Sequence, residues 1–182
     1  MPAEMVQNIA QRIMAGFPAN VPLERKPEVE QMLAGRFMSA LSSVPGALPP
    51  GGQEALFTAV MDEILGLGIL EPLLNDDTVT EIMINGPDQV WVERKGHPTE
   101  TGIKFMNEEH VMRIAQRIVA PLGRRLDTKW PMVDARLPDG SRVNAIIPPL
   151  AVDGPSITIR KFAKEHWAAS DLVRFGTLSP QL

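Results

Sequence analysis

Apolar residues recur at helical spacing through the first third of the chain and then switch to alternation. Val6, Ile9, Ile13 and Phe17 form one stripe, and Val29, Leu33, Phe37 and Leu41 recur at every fourth position to form a second. A third stripe, Leu56, Val60 and Ile64, ends at Gly66-Leu67-Gly68, glycines suited to a helix C-terminus. Between the second and third stripes "SSVPGALPPGG" breaks the chain with turn formers, which predicts a linker over residues 42–52. The expected product is a small helical bundle or hairpin.

After "ILEPLLNDD" the period falls to two. "TVTEIMING", "QVWVERKG" and "TETGIKF" read as three strands joined by the turn-rich "NGPD" and "KGHP". A helical pattern then returns. Asn107 is placed to cap it, Glu108 and Glu109 suit its positive end, Val111, Ile114, Ala115, Ile118 and Val119 share a face, and Gly123 stops it. Further strands are expected near residues 132–137, 141–147 and 156–162. Strands, helix, strands in that order predict an antiparallel sheet with a helix packed on it, an α+β fold.

The turn Pro138-Asp139-Gly140 suits a three-residue hairpin, with Leu137 facing Ser141. Counting back from that register pairs Arg136 with Arg142, Ala135 with Val143 and Asp134 with Asn144. Alternation then places Val133, Ala135, Val143, Ala145 and Ile147 on one face, and Asp134, Arg136, Arg142 and Asn144 on the other. In "SITIRKF" Ile157 and Ile159 share a face, leaving Thr158 and Arg160 opposite, so three guanidinium groups converge. Like charges opposed across strands are unfavourable by an amount comparable to the roughly 0.2–1 kcal/mol that good pairs contribute. Two offsets are open: a nearby carboxylate, Asp134 or Asp139, or a bound anion that accepts bidentate guanidinium bonds.

Composition narrows the classes. The 182 residues carry a net charge of −4, so no global basic field draws the chain to nucleic acid. The absence of cysteine excludes disulfides, thiolate zinc sites and a cysteine nucleophile, and fits a reducing compartment. The N-terminal stretch lacks the basic leader and cleavage site of a signal peptide, and no apolar run of about 18 residues suggests a membrane span. A cytoplasmic protein that meets membranes through partners is expected.

The runs "GILEPLLNDDTVTEIMINGPDQVWVERKG", "HVMRIAQRIVAPLGRRLD" and "PMVDARLPDGSRVNAIIPPLAVDGPSITIRKF" resemble the amino-terminal part of the type II/IV secretion ATPases, and within them the CpaF type that drives tight-adherence (Flp) pilus assembly. The resemblance covers about residues 66–182. It implies a helical extension over residues 1–68, a PAS-like amino-terminal domain over 69–164, and over 165–182 the start of a linker to a RecA-like motor domain. No Gly-Lys dipeptide occurs, so the phosphate loop of that motor is absent from this sequence, and the piece is expected to be inactive in ATP hydrolysis by itself.

In the related motors, arginines of the amino-terminal domain reach the γ-phosphate of ATP held by the motor domain. The resemblance assigns that role to Arg142 and Arg160, with Arg136, Arg124 and Arg125 as possible additions. It also implies ATP and magnesium as ligands of the full-length protein, with none expected on this fragment, a homohexamer, and an inner-membrane platform protein as partner. The competing reading is a non-catalytic docking or oligomerisation module for that platform.

Other features point to structure. Arg124 and Arg125 lie just beyond a helix C-terminus, where cations complement exposed carbonyls. His97, His110 and His166 lack metal spacing, and His110 in "NEEH" is expected on a helix surface, so no metal site is predicted. Asp76 and Asp77 read as a turn or cap, and the ten methionines as core filler. Trp91, Trp130 and Trp167 are too scattered for a stacking platform.

Overall fold

The structure, a computed structural model, describes residues 3–18, 21, 23, 25–42, 48–162, 168–177 and 179. Its first part is a bundle of α1 (Ala3–Met14), α2 (Pro27–Leu41) and α3 (Gly52–Leu65). The predicted stripes face inward: Ile9, Ile13, Leu33, Phe37, Leu56 and Val60 are buried together in one apolar cluster. Phe17 lies beyond the end of α1, half-buried beneath the Arg36 guanidinium. Residues 43–47 of the expected linker lie outside the described residues.

α3 passes through Gly66 and a 3-10 turn (Gly68–Leu70) into the short α4 (Glu71–Asn75). The sheet follows as β1 (Glu81–Asn85), β2 (Gln89–Arg94), β3 (His97–Glu100), β4 (Met132–Arg136), β5 (Arg142–Ile146) and β6 (Ser156–Arg160). Its order is β3-β2-β1-β6-β5-β4, antiparallel throughout. The long helix α5 (Glu108–Val119) separates the two sets of strands in sequence and packs on one face of the sheet. Ile82, Ile84, Val90, Val92, Val143 and Ile157 from alternate strand positions meet Val111, Ile114, Ala115 and Ile118 there in a second apolar cluster. The fold is thus the expected α+β combination of helices and an antiparallel sheet.

Asn107 caps α5 as its position predicts, accepting the His110 N–H at 2.9 Å. The third strand differs from expectation. Lys95 and Gly96 both take positive φ, which closes a two-residue hairpin turn, so the chain is extended again by His97 instead of two residues later. Pro98 is tolerated because β3 is an edge strand, and Gly102 at φ 69° ends the extension that "TETGIKF" suggested.

His110 also departs from the expected surface position: it is 1% exposed, turned inward against Phe105 and towards Glu63 of α3. The helix face carrying Ile114 and Ile118 turns far enough to take the third residue of the helix under the bundle. The C-terminal stretch contains α6 (Ala169–Arg174), while residues 163–167, including His166 and Trp167, lie outside the described residues. No helix among the described residues is long and apolar enough to cross a membrane.

Candidate functional site: an arginine row on the open face of the sheet

The β4–β5 hairpin fixes the site. Leu137 N–H donates to the Ser141 carbonyl at 2.7 Å and Gly140 N–H to the Leu137 carbonyl at 2.9 Å, while the Asp139 carboxylate accepts from the Ser141 amide at 3.0 Å and its hydroxyl at 2.7 Å. Gly140 has φ 91°, and a Cβ there would stand 3.0 Å from the Phe162 ring. This turn therefore sets the register, with Arg136 opposite Arg142, and the β5–β6 pairing sets Arg142 opposite Arg160. The row continues across β1 to Glu81 and across β2 to Glu93. Their neighbours Val143, Ile159 and Ile82 are buried under α5, so the charged row projects from the opposite face.

An open cleft of about 590 Å³ lies along this row, lined among others by Arg124, Arg136, Arg142, Arg160, Lys161 and Phe162. The guanidinium groups are held differently. Arg136 is tethered: its Nε donates to the Gly140 carbonyl at 3.2 Å, and the group lies 5.9 Å from the centre of the Phe162 ring. Arg142 Nη2 is 3.6 Å from Asp134 Oδ2, and Arg160 Nε is 3.8 Å from Glu81 Oε2. Both separations are too long for strong hydrogen bonds. The two arginine side chains remain 69% and 74% exposed.

Arg124 enters by another route. Gly123 takes φ 66° after a 3-10 turn (Ala120–Leu122), and the Gly123 and Arg124 amides bond back to the carbonyls of Ala120 and Val119. Backbone groups thus close the helix end, while the Arg124 side chain lines the cleft. Its guanidinium makes no hydrogen bond or ion pair with the described residues. Arg125 is exposed and does not line the cleft.

The carboxylates offered as local counter-ions divide. Asp139 is committed to the turn, and Asp134 stands near Arg142 only as a loose, exposed partner. Such pairs contribute about 0–1 kcal/mol and are screened by salt. Glu81, 22% exposed, is a partner that sequence reasoning missed. The alternation of β1 places it on the polar face, but only the β1–β6 pairing, between strands far apart in sequence, brings it to Arg160. Phe162 was missed too, although an aromatic two residues beyond Arg160 on the same alternation was the available signal.

The charged side chains lining the cleft are five cations and the single carboxylate of Asp134, a set suited to phosphate-like oxygens and not to a divalent cation. Among the described residues no group of three or more His, Asp or Glu side chains stands in metal-holding arrangement. His97 sits on the edge strand, far along the sheet from the cleft. Asp76 serves a turn: its Oδ1 accepts from the Thr78 hydroxyl at 2.6 Å and amide at 2.9 Å, and its Oδ2 pairs with Arg94 at 2.9 Å. The Thr78 hydroxyl first, and the Arg94 guanidinium next, hold this carboxyl well below the usual carboxylate range.

A helix-backed antiparallel sheet with a cationic row on its open face makes this a mixed helix-and-sheet domain. The family model described as "Type II/IV secretion system protein" matches residues 63–182, and the chain belongs to that family. Among curated relatives, an uncharacterised protein of Methanocaldococcus jannaschii is 45% identical over 114 residues, which are 62% of this chain and 16% of that protein. A putative conjugal transfer protein of Mycobacterium tuberculosis is 35% identical over 65% of this chain and 35% of its own length. The type IV secretion system protein PtlH of Bordetella pertussis is 31% identical over 59% of this chain and 32% of its own.

The solved VirB11 ATPase of the Brucella suis type IV secretion system, in complex with sulphate, matches with a TM-score of 0.52 and 26% identity over 60% of this chain and 35% of that one. The chain thus spans between about a sixth and a third of the length of these relatives.

Proposed function

We propose that this chain is the amino-terminal, nucleotide-sensing and regulatory domain of an ATPase that powers type II/IV secretion or pilus assembly, and that Arg142 and Arg160 supply positive charge to the γ-phosphate of ATP. The observation that carries the reading is the cross-strand row in which Arg142 lies directly beside Arg160, both exposed and only loosely countered by carboxylates. Family membership and the likeness to the VirB11 ATPase support the same assignment. Sulphate shares the tetrahedral oxygens of phosphate, so the ligand recorded with that relative is of the right chemistry.

In the full-length protein the substrate ATP, with magnesium, would be held by a RecA-like motor domain. Charge on its transferring phosphoryl group spreads over equatorial oxygens, and a rigid fork of N–H donors supplies charge and geometry together. The sheet holds Arg142 and Arg160 on adjacent strands, so both approach from one side. Arg136 is the weaker contributor because Gly140 and Phe162 already tether it, whereas Arg124 is freer to join. Loss of the γ-phosphate on hydrolysis would remove the tie between the two domains and let this one swing. The full assembly in this reading is a cytoplasmic homohexamer beneath an inner-membrane platform protein, of the CpaF type, with a PAS-like amino-terminal domain.

The test is steady-state ATPase assay of the full-length protein carrying Arg142→Ala or Arg160→Ala. Each variant is expected to lose rate, by on the order of a thousandfold at the upper end. Unchanged turnover and ATP affinity in both would remove the γ-phosphate role and leave a docking or oligomerisation module as the better reading.

A further inference from the structure

The helical bundle and the sheet domain each have their own apolar core, yet where they meet they bury a charge. Glu63, in the last turn of α3, is 6% exposed. It faces three side chains from successive turns of α5. His110 Nε2 stands 3.6 Å from one carboxylate oxygen and Arg113 Nη2 3.9 Å from the other, while Arg117 donates through Nη1 to the backbone carbonyls of Glu63 at 2.5 Å and Gly66 at 2.7 Å. Burial lowers the Arg117 guanidinium from its ordinary value, and the charge of Glu63 opposes that shift.

The orientation of His110 follows from its other nitrogen. Nδ1 accepts the Met106 N–H at 3.5 Å, which leaves Nε2, buried without a hydrogen-bond partner, as the ring atom nearest Glu63. Room for the carboxylate depends on Gly68, at φ 60°, where a Cβ would stand 2.5 Å from Glu63 Oε2. Sequence and backbone are thus arranged to admit a charge that neither core needs.

A carboxylate taken out of water is expensive unless well bonded, and here its contacts are all longer than strong hydrogen bonds. Water is close at hand. A gap of about 210 Å³ opens between α1, α3 and α5, lined among others by Gln7, Glu63, Arg113 and Arg117. Rehydrating Glu63 through this gap leaves both apolar clusters intact.

We propose that Glu63 is a releasable clasp between the helical bundle and the sheet domain, closed when His110 and Arg113 of α5 hold its carboxylate beside the Arg117 bonds to the Glu63 and Gly66 carbonyls, and open when that carboxylate returns to water. Closed, the clasp fixes the bundle against α5. Open, it frees the bundle to move while the sheet stays folded. The proposal does not depend on what the arginine cleft binds.

Hydrogen exchange of the 182-residue chain tests it. Glu63→Gln is close to isosteric and removes the charge. Its expected effect is faster exchange, by about tenfold or more, at the end of α3, in residues 66–70 and in the first two turns of α5, with the amides of β1, β5 and β6 unchanged. Arg113→Ala, at a half-exposed side chain that leaves both cores alone, is expected to give the same regional pattern more weakly. Unchanged exchange at the seam in both variants would overturn the proposal. So would acceleration spread evenly over the sheet, because Glu63 would then be an ordinary part of one cooperative core.

Discussion

Single residues decide whether the arginine row exists. Gly140 holds the hairpin in a left-handed conformation and gives way to the Phe162 ring. Gly140→Ala is expected to lower stability by about 1–3 kcal/mol, read as a shift in urea midpoint, because a side chain at that φ is strained. The hairpin register was legible in the sequence for the same reason: Pro138, Asp139 and Gly140 each do something specific in the turn, so counting outwards fixes which residues oppose. The burial of His110 was not legible. Nothing local separates a histidine in the first turn of a surface helix from one covered by another helix whose own position depends on packing.

Asp76 gives a residue-scale prediction about acid. Its carboxyl titrates lower in the folded chain than its ordinary value of 3.8, so the stability it adds is fully present above that value and is lost as pH falls below it. Asp76→Asn should therefore narrow the difference in urea midpoint between about pH 6 and about pH 3 relative to the unmodified chain. An unchanged difference would show that the Thr78 and Arg94 contacts do not survive in solution.

At the scale of elements, α5 carries the architecture, covering the sheet's apolar face and meeting the bundle through Glu63. Its N-terminus is capped by the Asn107 side chain. Asn107→Ala is expected to lower stability by about 1 kcal/mol, a fall of roughly 2–4 °C in Tm by circular dichroism. The helix was readable because its apolar period is clean, and the β4–β5 and β1–β2 hairpins because their turns are short. The β1–β6 pairing was not, since joining the two halves of the sheet is a long-range choice that local pattern does not encode. Glu81 stayed hidden with it. The short α4 and α6 were missed because five or six residues give too little periodicity to separate a helical turn from a loop.

Across the whole molecule, two apolar clusters stand on either side of a charged seam. Phe37 is fully buried in the bundle cluster and touches none of the sheet residues that build the cleft. Phe37→Ala should cost about 3–5 kcal/mol, read by thermal unfolding. The cleft, by contrast, is built by the sheet, and substitutions on its exposed row should leave Tm nearly unchanged, since loosely paired surface charges contribute little. The helical bundle, the helix-backed sheet and the convergence of Arg136, Arg142 and Arg160 could all be anticipated from period and turn chemistry. What lay beyond the sequence was that Glu81 answers Arg160.

The central claim is that Arg142 and Arg160 act as a pair on one phosphate, and a double-mutant cycle on the ATPase rate of the full-length protein tests it most directly. If both forks grip the same group, Arg142→Ala and Arg160→Ala will each slow turnover, and the double variant will be little slower than the worse single, a coupling of about 0.5–3 kcal/mol. Losses that simply multiply, or single variants that turn over like the unmodified enzyme, would contradict it.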